Sequence, residues 1–117
     1  MIRRAIPVLH VTNAAKALTF YHELGFQLEF EHHAEGATED PCYMGVSRDG
    51  VWLHLSSFAG DGVAGAVANL MVDSVDKFYE EFQAKHVHVD VPPVDQSWGS
   101  REMCVKDADG NCLRFIA

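Results

Sequence analysis

The stretch that decides the fold is VANLMVDSVDKFYEEF, residues Val67–Phe82. Its first six residues, Val67–Val72, are mostly apolar and typical of a β-strand. Asp73 or Ser74 then offers an N-cap, because a short polar side chain there can accept a hydrogen bond from a free helix N–H. The helix would bury one face, on which apolar residues recur at helical spacing: Val75, Phe78, Tyr79 and Phe82. The segment therefore predicts a strand followed by an amphipathic helix.

The same order occurs near the start of the chain. Arg4–Val11 is the corresponding strand, and Asn13 is the corresponding N-cap. The apolar face of the helix in this copy consists of Ala14, Ala17, Leu18 and Tyr21. Val11 and Val72 occupy equivalent places and are 61 residues apart. This spacing indicates an internal duplication.

Each copy then predicts three more strands, and an Asp- and Gly-containing turn joins the last two. In the first copy the strands are Phe26–Glu31, with apolar and polar residues alternating, Pro41–Ser47 and Val51–Ser56, with the turn at Arg48–Gly50. In the second copy they are Val87–Val91, Arg101–Lys106 and Asn111–Ile116, with the turn at Asp107–Gly110. Pro92-Pro93 is expected to end the first of these, because proline cannot donate a ladder hydrogen bond.

The whole chain is predicted to be one α+β domain, 1–117, built from two tandem βαβββ modules that form cupped mixed sheets. Repeat one covers about 1–58, a Gly- and Ala-rich linker covers 59–65, and repeat two covers about 66–117. A length of 117 residues is typical of a single domain.

Composition excludes some partners. The formal charge of −8 disfavours nucleic acid, whose binding depends on cationic contacts to phosphates. No apolar run is long enough to span a membrane, and no signal-peptide pattern begins the chain, so we expect a cytoplasmic protein. The three cysteines, Cys42, Cys104 and Cys112, are expected to be reduced thiols, since none lies in a CxxC motif.

Three motifs carry a resemblance to a known family. They are Pro7–Val11, the segment Phe20-Tyr21-x-x-Leu24-Gly25-Phe26, and Asp107-x-Asp109-Gly110-Asn111. With the duplicated βαβββ pattern, they resemble the vicinal oxygen chelate superfamily of glyoxalases, bleomycin-resistance proteins and dioxygenases. Segments Tyr43–Asp49, Trp98–Glu102 and Asp107–Phe115 are similar to its bleomycin-resistance branch.

The resemblance implies where a metal would bind in an enzyme of the family. The corresponding positions are Ile6, His54, Val67 and Arg114. Only His54 can be a ligand, because isoleucine and valine have no donor atom and arginine has no lone pair. We therefore predict no metal and no cofactor. The alternative is a metalloenzyme with a relocated site that uses His10 and His54, with a third ligand such as Glu102.

For the bleomycin-resistance branch, the resemblance implies a ligand groove between the subunits of a homodimer that exchange their first strands, with Pro7 as the hinge. It places Phe30, Tyr43, His54 and Trp98 along that groove. The candidate ligand-binding residues are these four together with Trp52, Phe58 and Arg114. The predicted function is metal-independent sequestration of a cationic drug with an aromatic tail. A negative rim at Glu29–Asp40 would attract its charge, and a different small molecule is the other open possibility.

Overall fold

A computed structural model describes residues 1–117 and contains the predicted βαβββ order twice. The first module comprises β1 (Val8–His10), α1 (Ala14–Glu23), β2 (Gln27–His33), β3 (Cys42–Arg48) and β4 (Val51–Ser56). The second comprises β5 (Val67–Met71), α2 (Val75–Ala84), β6 (Val91–Asp95), β7 (Arg101–Lys106) and β8 (Cys112–Ile116). The α+β class and the duplication are confirmed.

Each module forms one four-stranded mixed sheet, in the order β1-β4-β3-β2 and β5-β8-β7-β6. In both sheets the first strand runs parallel to the last, and the other neighbours are antiparallel. The registers are also equivalent, since Val8 lies opposite His54 and Asn69 lies opposite Arg114. The duplication in sequence is thus a duplication of strand pairing.

Side-chain caps start both helices. The Asn13 side chain accepts a hydrogen bond from the backbone N–H of Lys16 at 3.0 Å. In the second module the cap is Ser74 rather than Asp73, and its hydroxyl accepts from the N–H of Lys77 at 3.3 Å. No helix is long and apolar enough to cross a membrane.

The helices cover one face of each sheet and leave the other face open. The covered faces and the helices contribute a single core of 20 buried residues, whose largest members include Tyr21, Phe82, Met44 and Met103. The open faces carry the intervening positions of the same strands. These open faces hold most of the predicted site residues.

Buried polar contacts fix the two modules against each other. The Asp107 carboxylate is buried and accepts hydrogen bonds from the Tyr21 hydroxyl at 2.8 Å and from the Asn111 side chain at 2.9 Å. The same Asn111 amide donates to the backbone carbonyl of His10 at 2.7 Å. Arg48 donates two bonds of 2.7 Å to the Glu81 carboxylate. The modules therefore form one unit with a defined relative orientation.

Two strand predictions were wrong. β1 is shorter than Arg4–Val11, because the six residues before Pro7 lie outside both sheets. Pro92-Pro93 lies inside β6 instead of ending a strand at Val87–Val91. Two prolines are tolerated because β6 is an edge strand and its pairing with β7 is irregular between Val91 and Val94.

The alternation predicted for the strand after α1 is also broken. In β2, Leu28 lies opposite the buried Val46, whereas Phe30 lies opposite Gly45, so a bulge at Glu29 intervenes. The bulge reverses the facing of all later residues in the strand. Phe30 therefore lies on the open face, although Leu28 does not.

The prediction of three reduced thiols was wrong for two of them. Cys104 on β7 and Cys112 on β8 form a disulfide, while Cys42 is a free, buried thiol. Strand spacing brings the pair together, because Cys104 is opposite Arg114, which is two residues from Cys112 on the same face. Cys104 and Cys112 are eight residues apart, and this spacing is not a sequence motif that predicts a disulfide.

Candidate functional site

Four of the predicted residues form one continuous surface on the open face of the first sheet. Phe30 lies on β2, Tyr43 on β3, and Trp52 and His54 on β4. We call these four residues the aromatic wall. They meet because Gly45 is opposite both Phe30 and His54, so the residues form a row across three strands.

The rings of the aromatic wall make mutual contacts. Phe30 is stacked on Tyr43 with 6.2 Å between ring centroids, and on Trp52 with 6.4 Å. His54 meets Phe30 edge-on at 5.4 Å. The Phe30 side of the wall remains accessible, since this residue is 41% exposed. Such a preformed, exposed aromatic surface can stack against a planar ligand.

Gly45 permits this arrangement. A Cβ atom at this position would lie only 2.7 Å from Cδ2 of Phe30, so any other residue would displace the ring. Glycine inside a strand often marks such a close approach. That signal was present in the sequence, yet Gly45 was not among the predicted site residues.

A short hydrogen bond joins the two polar members of the wall. The Tyr43 hydroxyl lies 2.7 Å from Nδ1 of His54. Burial and the nearby charge of Arg4 lower the pKa of His54, and burial and Asp61 raise the pKa of Tyr43. Both side chains are therefore uncharged at neutral pH. The guanidinium of Arg4 lies over the Trp52 ring, 4.8 Å from its centroid.

Replacement of Arg4 by glutamine is expected to raise the pKa of His54, because it removes one of the two causes of the lowered value. Burial remains, so the pKa should stay below the ordinary value of about 6.5. NMR titration of the His54 imidazole in the parent protein and in R4Q measures the two pKa values.

The lowered pKa of His54 also affects stability. In the parent protein, the folded chain binds a proton at His54 less tightly than the unfolded chain does. The His54 contribution to stability is thus complete above the ordinary pKa and decreases as the pH falls below it. An unchanged His54 pKa in R4Q would contradict the assignment.

Two other predicted residues lie together on the second sheet. Trp98, in the turn between β6 and β7, is 71% exposed, and its indole N–H donates to the Glu102 carboxylate at 3.1 Å. Nε of Arg114 is 4.0 Å from the same carboxylate. We call Trp98, Glu102 and Arg114 the tryptophan cluster. It makes no ring contact with the aromatic wall, and Phe58, which follows β4, joins neither group.

Comparison with known proteins agrees with this architecture. The family model described as "Glyoxalase superfamily protein" matches residues 1–117. The chain belongs to the glyoxalase superfamily. The bleomycin resistance protein of Geobacillus stearothermophilus is 28% identical over 127 residues, covering 97% of this chain and 95% of that protein. The predicted resemblance to the superfamily and its bleomycin-resistance branch is confirmed.

Two solved structures are similar over nearly the whole chain. A bleomycin-binding protein in complex with bleomycin has a TM-score of 0.77 and 22% identity, with 98% of each chain covered. A glyoxalase/bleomycin resistance protein/dioxygenase superfamily member from Sphaerobacter thermophilus has a TM-score of 0.76 and 25% identity, covering 98% of this chain and 97% of that one. These likenesses establish the fold.

The four positions at which an enzyme of the glyoxalase superfamily is expected to bind a metal do not carry a suitable set of ligands in this chain. Among these positions, Ile6 and Val67 have side chains without a donor atom, whatever their register. His54 is therefore the one strong ligand among them, and Arg114 would repel a cation.

The relocated metal site is not assembled within the chain either. His10 and His54 share the open face of the first sheet, but Nδ1 of His10 is 2.9 Å from the Asp61 carbonyl. Glu102 lies on the second sheet, bonded to Trp98. No group of three candidate ligand atoms includes either histidine. The three predicted ligands are thus not brought together.

The predicted acidic rim is dispersed. Of its five carboxylates, Glu29 is the one shown on the open face, where it accepts from the Ser47 hydroxyl at 2.8 Å. Glu31 lies opposite Met44 and therefore on the covered side. Asp40 accepts from the N–H of Ala14 and so supports the start of α1. The sequence positions of these acidic residues did not predict their dispersal, because the bulge in β2 places Glu29 and Glu31 on opposite faces of the sheet.

Proposed function

We propose that this superfamily member is a metal-independent binding protein that sequesters a cationic ligand with a planar aromatic tail. The observation that carries the proposal is the preformed aromatic wall, whose rings are already in contact and whose outer side is open. The ligand's tail would stack on Phe30 and Tyr43. Aromatic pairs of this kind contribute about 0.5–1.5 kcal/mol beyond the burial of area.

The groove in this proposal lies between two copies of the chain. The aromatic wall of one copy would face the tryptophan cluster of the other, with Trp98 on the opposite side of the ligand tail. Glu29 on the first sheet and Glu102 on the second would receive the cationic end. The bleomycin bound by the bleomycin-binding protein, whose fold is shared, supports small-molecule binding as such.

The shape and surface of one chain support a second copy. Its radius of gyration is 14.6 Å, against about 13.4 Å for a compact chain of this length, because the modules lie side by side. Large apolar residues are also exposed: Phe30, Val67 and Met71 on the open faces, and Trp98 in the turn between β6 and β7. A partner would cover them. Pro7 remains the proposed hinge for exchange of the first strand, which within a single chain pairs with β4 of its own sheet.

Metal-independent binding is proposed from the donor chemistry. A site made of the His54 imidazole, the Arg114 guanidinium and the aliphatic side chains of Ile6 and Val67 cannot supply the three ligands that a catalytic metal needs. The polar members of the wall, Tyr43 and His54, satisfy each other's hydrogen bonds. This hydrogen bond fixes the orientation of both side chains in the wall.

Titration with metal-free bleomycin, in the presence of a chelator, is expected to quench tryptophan fluorescence, because Trp52 and Trp98 line the two sides of the groove. Light scattering on the same sample should give twice the chain mass of 13.0 kDa. An unchanged spectrum at high micromolar ligand would reject bleomycin as the ligand. Quenching by another cationic aromatic compound would then retain the proposed mode with a different ligand, and a monomer would reject the shared groove.

A further inference from the structure

Three side chains with metal-binding atoms converge on the helix-covered side of the first sheet, away from the aromatic wall. They are Glu31 and His33 on β2 and Cys42 on β3. His33 lies directly opposite Cys42 across the two strands, and Glu31 is two residues before His33 on the same face. Their candidate ligand atoms all lie within 4.8 Å of one another. The cluster is separate from every residue of the proposed drug groove.

A hydrogen bond at Nδ1, the ring nitrogen that faces away from the cluster, fixes the orientation of the His33 imidazole. Nδ1 of His33 lies 2.6 Å from the backbone carbonyl of Glu39. A carbonyl only accepts hydrogen bonds, so Nδ1 carries the proton, and the neutral imidazole then presents the lone pair of Nε2. Nε2 is directed to the cluster, 3.7 Å from a Glu31 carboxylate oxygen and 3.9 Å from Sγ of Cys42. Ligating histidines are commonly held by such a second hydrogen bond.

We propose that Glu31, His33 and Cys42 bind a Zn²⁺ ion. In tetrahedral zinc sites with Zn–S of about 2.3 Å and Zn–N or Zn–O of about 2.1 Å, the ligand atoms are about 3.4–3.6 Å apart. The two separations that include His33, 3.7 and 3.9 Å, exceed these by a few tenths of an ångström, and the Glu31 and Cys42 ligand atoms lie within 4.8 Å of each other. A thiolate with an imidazole and a carboxylate favours zinc over magnesium or calcium, which prefer oxygen ligands alone.

Burial around the cluster leaves one side open to solvent. Cys42 is fully buried, the His33 side chain is 30% exposed and the Glu31 side chain is 48% exposed. Water would take the fourth position on the Glu31 side, and the ion would enter there. On coordination, the Cys42 thiol loses its proton to solvent and binds as the thiolate.

Zinc at this position would join β2 to β3 at the end of their hairpin. Residues 34–41 form the connection, which the N–H of Ala34 closes by donating to the carbonyl of Pro41 at 3.0 Å. The ion would therefore stabilise the edge strand that presents Phe30 on its opposite face. The folded chain should bind zinc more tightly than the unfolded chain, so zinc should raise the melting temperature.

The experiment is titration of the purified, metal-free full chain with Zn²⁺ by calorimetry and with Co²⁺ by absorption spectroscopy. One ion per chain is expected, and Co²⁺ should give a thiolate charge-transfer band. Because Cys104 and Cys112 are paired, this band reports on Cys42, the free thiol. C42S should abolish the band, and H33A should weaken zinc binding at least about tenfold.

H32A is the matched control, since His32 is the adjacent histidine on the opposite face of the same strand, and it should bind zinc like the parent. A double H10A/H54A variant should do the same. Circular dichroism and thermal unfolding without zinc establish that each variant is folded. No binding in the folded parent chain, a band that survives in C42S, or loss of binding in H10A/H54A would overturn the site.

Discussion

Replacing Asp107 by alanine is expected to lower the free energy of unfolding by about 3 kcal/mol. The buried carboxylate accepts from the Tyr21 hydroxyl, from the backbone and side chain of Asn111, and from the N–H of Asp109. Alanine would leave these donors without a partner in a buried place. Tyr21 belongs to the first module and Asp107 to the second, so the loss should reach the whole domain. Urea unfolding followed by circular dichroism measures it.

Two further variants test whether the loss of stability in D107A comes from the buried contact or from any substitution in the Asp107–Gly110 turn. Asp109 accepts one exposed bond, from the N–H of Thr12, so D109A should cost less than about 1 kcal/mol. Y21F removes one donor and leaves Asp107 the others, so an intermediate cost of about 1.5 kcal/mol is expected. Equal stability of D107A and D109A would show that the buried contact between modules does not contribute as proposed.

Replacing Phe30 by alanine is expected to weaken binding of the groove's ligand about 10- to 100-fold, equivalent to about 1.4–2.8 kcal/mol. Phe30 is the central ring of the aromatic wall and contacts each of the other three members. Fluorescence titration with metal-free bleomycin measures the change. Because Phe30 is largely outside the core, the variant should remain folded.

Leu28→Ala is the matched control for this prediction. Leu28 lies on the same strand and is 39% exposed, close to the 41% of Phe30, but it lies on the other face because of the bulge. L28A should bind the ligand like the parent. G45A should behave like F30A, because the added methyl group displaces the Phe30 ring. Similar losses in L28A and F30A would show that the wall is not the binding surface.

Local sequence patterns predicted much of the fold. The caps at Asn13 and at the Asp73–Ser74 pair, the helix faces and the two Asp- and Gly-containing turns were correct because each depends on residues close together in the chain. The path of β6 was not predictable in this way. Whether Pro92-Pro93 breaks a strand depends on whether that strand has a neighbour on both sides, and this is a property of the assembled sheet.

The site was predictable where strand alternation held. Trp52 and His54 share a face because they are two residues apart on one strand, and the resemblance pointed to Phe30 and Tyr43. The bulge at Glu29 could not be inferred from the alternating residues around it. That one extra residue places Phe30 on the wall and, on the other face, brings His33 beside Cys42. The zinc cluster was therefore not visible in the sequence.

The two prolines of β6 also limit how the molecules can aggregate. Proline has no backbone N–H, so Pro92-Pro93 leaves two consecutive positions of β6 without a donor. A foreign strand needs an unbroken row of donors and acceptors to add to a sheet. The second sheet therefore resists fibril-like growth at this edge, even at high protein concentration. Copies of the chain can therefore associate at β6 through side-chain contacts, which depend on the sequence of the partner, but not through continuous backbone pairing, which does not.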